Sequence, residues 1–210
     1  AGADGVKVQI FYSSHFPPPY DAQHKPHEFP RERLGEFVRT AHAYGMSAGA
    51  SVFDEQAVTL AARECDWIKL AAREQANEEL LRSIQNIYNA HYRKKYEGIS
   101  FVKVYRSISD LKHFKHLPLP GATLFAIQRY PAPLWLSLYW LVRAAAFFKK
   151  QRVKWGWSSH TTSIWDGVWA ARLGASVLEK HIAMSPQDVE APHSLQPEKF
   201  KQMAERIGKL

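Results

Sequence analysis

Cysteine is nearly absent from this sequence: Cys65 is the single one in 210 residues. That excludes an internal disulfide framework and any zinc site built from several thiolates, and it makes the cytoplasm the expected compartment. Long apolar runs are also lacking. No stretch reaches the ~18 residues that crossing a bilayer requires. The nearest, Leu134–Phe148, is interrupted by Ser137 and Arg143 and reads as a helix buried in a core or against a partner. No signal-peptide pattern opens the chain. Ala1-Gly2-Ala3-Asp4 runs at once into a strand-like segment, so the expectation is a start inside a larger design. Internal repeats, low-complexity tracts and linkers are missing too, and a single domain over 1–210 is the expected organisation.

What is present begins with charge. The formal net charge is +8, which favours anionic partners such as phosphates, carboxylates or nucleic acid. The basic clusters Arg93-Lys94-Lys95 and Lys149-Lys150-Gln151-Arg152-Lys154 fall where helices should end, and cations suit helix C-termini. No nucleic-acid reader motif accompanies them. The expectation is therefore a small anionic substrate, with neither nucleic acid nor membrane as partner.

Short β-rich runs alternate with helical patterns. Strands are expected at Val6–Phe11, Ser47–Phe53, Trp67–Ala71, Ser100–Tyr105, Thr123–Gln128, Val153–Ser158 and Ser176–Ile182. A proline-rich loop (Pro17-Pro18-Pro19, Pro26, Pro30) follows the first. Helices are expected at Glu32–Tyr44, stopped by Gly45, and at Glu55–Glu64, capped by Asp54. Others follow at Asn77–Tyr92, from Asp110, at Leu134–Lys150, at Ile164–Leu173 and from Pro197, proline being tolerated in a first turn. Repeated βα units imply a parallel sheet with helices outside, hence an α/β fold. Seven strands are one short of a TIM-type (β/α)8 barrel, whose first βα unit is expected upstream of Ala1. Seven strands also leave two open edges, so either dimerisation or an upstream segment is expected to cover the gap.

Strand parity gives the chemical clues. Val6, Val8 and Ile10 share one face, which in a barrel meets the helices, and Lys7 and Gln9 then point inward. In the last strand Leu178, Lys180 and Ile182 alternate with Glu179 and His181. His160 and His181 end successive strands. Parallel neighbours lie ~4.8 Å apart, so two inward imidazoles at the rim can share a metal ion, with Glu179 placed to orient a ligand. Inward Lys7 and Lys69 suit a phosphate or carboxylate clamp; the alternatives are an ion pair with Glu74 or Glu179, or a lysine reaching the rim. Tyr130-Pro131-Ala132-Pro133 reads as a rigid turn or as Tyr130 presented over a pocket. Trp155 and Trp157 read as packing, and Gly156 between them could admit a ligand to the backbone.

Four runs occur in order: Gly2-Ala3-Asp4-Gly5-Val6-Lys7-Val8-Gln9, Tyr130-Pro131-Ala132-Pro133, Gly156-Trp157-Ser158-Ser159-His160-Thr161, and Gly174-Ala175-Ser176-Val177-Leu178-Glu179-Lys180-His181. With weaker matches at Ser51-Val52-Phe53, Ile68-Lys69-Leu70, Glu74, Asn77 and Ser194-Leu195-Gln196-Pro197-Glu198, they make the chain resemble the catalytic barrel of the sialic acid synthase family. That family includes N-acetylneuraminate, pseudaminate and legionaminate synthases and a spore-coat polysaccharide branch. The resemblance implies condensation of phosphoenolpyruvate with an N-acetylated amino sugar in its aldehyde form, releasing phosphate and giving a nonulosonic acid. It implies a divalent cofactor, Mn2+ or Mg2+, on His160 and His181. Lys7, Lys69, Ser51 and Ser158 would hold phosphoenolpyruvate, and Gln9, Glu74, Gln128 and Tyr130 would shape the substrate pocket. The open sheet edges, not the resemblance, make a homodimer the expectation, with the apolar helix Leu134–Phe148 as a candidate interface.

The chain departs from the family pattern in places. The Glu and Asn-His motif of the family's first strand is absent, and Ser159 stands where the family's Ser-Asp-His-Thr has its acid. Ala72 replaces a serine, Arg106-Ser107-Ile108 a Ser-Thr-Gly, and Gln128 an asparagine. A Gly-Pro-Asp-His segment contracts to Ala191-Pro192-His193, and the C-terminal antifreeze-like domain has no counterpart. These losses support an alternative expectation: a catalytically weakened relative that binds sugar or phosphate, or serves as a structural or regulatory subunit.

Overall fold

A computed structural model describes residues 2–70, 74, 77–91, 100–105 and 121–209. It divides into two compact units, described separately here: one built on Asp4–Lys103, the other on Ala122–Leu210. The strands in each pair in parallel with their sequence neighbours, and helices cover one face, so the fold is α/β with parallel strands.

In the first unit, β1 (Gly5–Ile10), β2 (Ser47–Val52), β3 (Trp67–Leu70) and β4 (Ser100–Tyr105) lie side by side. The proline-rich connection after β1 holds a short helix, α1 (Tyr20–His24), and 3-10 turns rather than open loop alone. α2 (Leu34–Ala43) begins two residues later than the pattern suggests, because a 3-10 turn takes Arg31–Arg33. Gly45, with φ of +70°, ends it in the left-handed region that glycine enters without strain. α3 (Glu55–Glu64) starts as expected at Asp54, whose carboxylate accepts from the Ala57 N–H at 2.7 Å. The same carboxylate takes both terminal nitrogens of Arg31. α4 (Glu78–His91) follows, capped by Asn77.

Period-two alternation decides what each strand face does. Ile10, Ala48, Ala50, Val52, Ile68 and Leu70 join Leu34, Val38, Ala57, Val58, Ala61 and Ile84 in one buried cluster. Burial of each larger side chain there contributes about 1.5–3 kcal/mol. The intervening residues Lys7, Gln9, Gly49, Ser51, Trp67 and Lys69 face away from the helices.

In the second unit, β5 (Gly121–Ala126), β6 (Trp155–Ser159) and β7 (Val177–Lys180) are paired in parallel. α5 (Leu134–Gln151), α6 (Trp165–Arg172) and α7 (Pro197–Ile207) accompany them. α5 closes on Arg152 in a left-handed conformation behind Lys149 and Lys150, so the basic cluster does mark a helix end. Trp157 stacks on Phe125, and Trp155 on Phe148, inside a core with Leu141 and Ala144. The tryptophans are packing residues. A Cβ on Gly156 would collide with the Leu124 side chain and the Val177 backbone. That glycine therefore serves close strand packing, not the approach of a ligand.

Only one side of α5 is buried: Leu141, Ala144, Ala145 and Phe148 are covered, while Trp135, Tyr139 and Val142 are exposed. Among the described residues no helix is long and apolar enough to cross a membrane. The helix expected from Asp110, Ala72, Arg106-Ser107-Ile108 and Arg93-Lys94-Lys95 lie outside the described residues.

Candidate active site

Five of the residues singled out from sequence lie in the first unit. Register aligns Gln9 with Ser51 and Ser51 with Lys69, so one polar residue from each of three adjacent strands forms a row. Lys7, two residues before Gln9, shares its face, and its Nζ donates to Ser51 Oγ at 2.9 Å. Lys69 is 7% exposed and Ser51 2%. Buried ammonium groups are costly without polar partners, and a row of hydroxyl, amide and two ammonium groups is the chemistry that receives phosphate or carboxylate oxygens. Glu74, ahead of α4, accepts from Asn77 Nδ2 at 3.1 Å.

The second unit brings together the rest. Ser158, in register with Ala126 and Glu179, donates to Glu179 Oε1 at 2.9 Å. His160 follows the tip of β6 and is 4% exposed. Its Nδ1 lies 2.7 Å from the Ile127 carbonyl oxygen. A carbonyl only accepts, so Nδ1 carries the proton, and in the neutral ring Nε2 carries the lone pair. His181 follows β7, with Nδ1 at 2.6 Å from Glu190 Oε2, which sets the same tautomer. The carboxylate holding this nitrogen is therefore Glu190, where the sequence pattern suggested Glu179. The centres of the two imidazoles are 5.3 Å apart.

His193 completes the group, 5.1 Å from His181 and 6.5 Å from His160 between ring centres. Burial pulls its imidazolium below the ordinary histidine range, His181 adds to this, and Glu190 opposes it. Tyr130 lies over His160, ring centres 4.2 Å apart, and meets His193 edge-on at 5.1 Å. Burial pushes its phenol up to about 12, the carboxylates of Glu179 and Glu190 reinforce this, and a hydrogen bond from Gln128 opposes it. Gln128 itself is exposed and lies past the end of β5.

Among the described residues, one group of three metal-ligating side chains has donor atoms within 4.8 Å of one another: His181, Glu190 and His193. That group contains His181 of the expected pair but not His160, whose ring centre lies 5.3 Å from that of His181, and Glu190 and His193 were not foreseen. Both come from the loop beyond β7, where the only sequence signal was a carboxylate three residues before a histidine. Nitrogen and carboxylate donors together fit a divalent cation.

Ser159 is not part of this cluster. It lies on the helix-facing side of β6, hydrogen-bonded to Asp166 of α6. Its departure from the family motif alters the layer behind the site and removes no group from the site itself.

Residues 115–210 match the NeuB family model. A search of curated proteins finds no match. The chain is similar in structure to the N-acetylneuraminic acid (sialic acid) synthetase of Leptospira borgpetersenii serovar Hardjo-bovis, solved in complex with citrate. The TM-score is 0.85 at 18% identity, covering 99% of this chain and 73% of that one. It is similar to the spore coat polysaccharide biosynthesis protein spsE of Bacillus subtilis, with a TM-score of 0.74 at 23% identity, over 99% of this chain and 60% of that one. A truncated 3-deoxy-D-arabino-heptulosonate 7-phosphate synthase of Thermotoga maritima is more distant, at 0.63 and 15%, over 87% and 72%. These likenesses show a TIM-barrel-like fold, and the family match in the C-terminal part agrees with the resemblance read from the motifs.

Proposed function

We propose that this chain carries out a sialic acid synthase-type condensation of phosphoenolpyruvate with an N-acetylated amino sugar aldehyde. The observation that carries the reading is the pair His160 and His181. Each is fixed through Nδ1 so that Nε2 presents a lone pair, with ring centres 5.3 Å apart. Such outer partners set ligand tautomer and basicity at metal sites. His160 and His181 would hold the cation, with Glu190 on the far side of His181 and His193 beside it. Imidazole nitrogen suits Mn2+ better than Mg2+, which prefers oxygen. A divalent cation there supplies Lewis-acid polarisation of a carbonyl oxygen.

The other residues bind and orient. Lys7, Lys69 and Ser51 offer cationic and hydroxyl donors to the phosphate and carboxylate of phosphoenolpyruvate. Ser158 adds a hydroxyl held by Glu179. Gln9, Glu74, Gln128 and Tyr130 are the groups left for the sugar. In the reaction, C3 of phosphoenolpyruvate forms a bond to the aldehyde carbon, whose oxygen gains a proton. Water adds at C2, and inorganic phosphate leaves as the C2 carbonyl forms. The TIM-type (β/α)8 barrel and a homodimer belong to the same proposal, the first supported by the likeness to the Leptospira synthetase.

The test is phosphate release from phosphoenolpyruvate with Mn2+ and either N-acetylmannosamine or a diacetamido sugar. Release that requires both substrates supports the reading. Calorimetry showing that phosphoenolpyruvate binds while no sugar yields phosphate would replace it with the weakened, binding-only alternative.

A further inference from the structure

Behind the two histidines lies a second polar cluster that faces the helices. Lys180, the residue before His181, has a side chain only 1% exposed, and that of Asp166 is 0% exposed. Lys180 Nζ donates to Ser159 Oγ, to Thr161 Oγ1 at 3.0 Å and to the Ser163 carbonyl at 3.0 Å, and stands 3.4 Å from Asp166 Oδ1. Asp166 Oδ2 accepts from Ser159 at 2.6 Å, Ser137 at 2.9 Å and the Trp157 indole at 3.4 Å. Oδ1 accepts from Thr161 at 3.1 Å and from the Gly167 N–H at 3.1 Å. Every partner is buried or half-buried, and together they join β6, β7, α5 and α6.

The placement is what matters. Ser159 and Thr161 flank His160, and Lys180 precedes His181, so this one carboxylate and one ammonium bracket both strand tips that carry the imidazoles. Ser159 and Lys180 are also register partners on adjacent strands. We propose that Asp166 and Lys180 are positioning residues that lock the ends of β6 and β7 and so fix the relative placement of His160 and His181. The link to metal binding rests on the function proposed above; the link to the geometry of the two rings does not. The pair is enclosed, so removing one member strands the other charge in the core and is strongly destabilising. Burial already pulls the Lys180 ammonium below the ordinary lysine value, with Asp166 pushing back.

The register supplies the test. A carboxylate introduced at position 159 would sit beside Lys180 on the neighbouring strand, in space vacated by shortening Asp166. Asp166→Ala should lower the melting temperature by about 6–20 °C. It should also move or broaden the His160 and His181 ring signals in NMR spectra recorded without metal. The double variant Asp166→Ala with Ser159→Asp should restore at least half of the melting temperature and return both ring signals. Affinity for Mn2+, read by calorimetry, should fall roughly tenfold or more in the single variant and recover in the double.

A single variant as stable as the parent, or a double variant no better than the single, overturns the proposal. So do unmoved histidine signals in a folded Asp166→Ala protein. If the parent protein binds no Mn2+, the proposed function fails, while melting and NMR still decide the positioning role.

Discussion

The two units treat the helix-facing side of their strands differently. In the first, the described side chains on that side of β1, β2 and β3 are apolar, among them Ile10, Ala48, Ala50, Val52, Ile68 and Leu70, and Lys7, Gln9, Ser51 and Lys69 stand on the opposite face. In the second, tryptophans fill the helix-facing layer while Ser159, Lys180 and Asp166 place a buried ion pair within it. The opposite faces differ as well. The first unit offers two ammonium groups with Ser51 and Gln9, whereas the second offers three imidazoles with Glu179 and Glu190. One set of donors suits an anion and the other a cation, and the unit holding the imidazoles carries a buried ion pair in the layer behind them.

The largest effect that tests this division is on ligand binding. His181→Ala should abolish calorimetric Mn2+ binding. Lys69→Met should leave Mn2+ binding intact and weaken phosphoenolpyruvate binding by about 10–100-fold, the worth of a charged hydrogen bond. Equal loss of both ligands in either variant would erase the distinction. Within the second unit, Leu141→Ala on the covered side of α5 should cost about 2–5 kcal/mol in urea unfolding. Val142→Ala on the exposed side should stay within about 0.5 kcal/mol.

Smaller effects belong to the first unit. Burial acts to raise the Asp54 carboxyl, but hydrogen bonds and charge from Arg31, the Ala57 N–H and His15 outweigh it and hold the group below its ordinary range. A depressed carboxylate contributes stability above its unfolded pKa, and that contribution is lost as pH falls through the folded value. Asp54→Ala should therefore cost about 0.5–2 kcal/mol near neutral pH, as loss of a helix cap does, and the gap from the parent should narrow below about pH 4. The smallest signal concerns Cys65. Burial, reinforced by Asp66 and Glu64, pushes its thiol up to about 12. Thiol reagents at pH 8 should label it only when the chain unfolds.

Much of this was legible in the sequence because period-two patterning is strong where a strand has one apolar face. Val6, Val8 and Ile10 against Lys7 and Gln9 predicted the polar row, and register added Ser51 and Lys69. Asp54 and Pro197 marked helix starts through local chemistry alone. The second unit was less legible. Lys180 reads as an anomaly on an apolar face, because its partner Asp166 lies 14 residues earlier on a helix, and no local pattern links them. Glu190 and His193 sit in a loop whose path only the fold reveals. Glu179 was the natural choice to orient His181 from strand parity, yet the loop carboxylate reaches its Nδ1.

Asp54 carries a mechanical consequence. One carboxylate fastens both the first turn of α3 and the guanidinium of Arg31, which lies at the far end of the proline-bearing connection after β1. That connection is thus moored at its far end. A protease nick among its prolines would leave the mooring in place, whereas loss of the single arginine would slacken a helix more than twenty residues downstream.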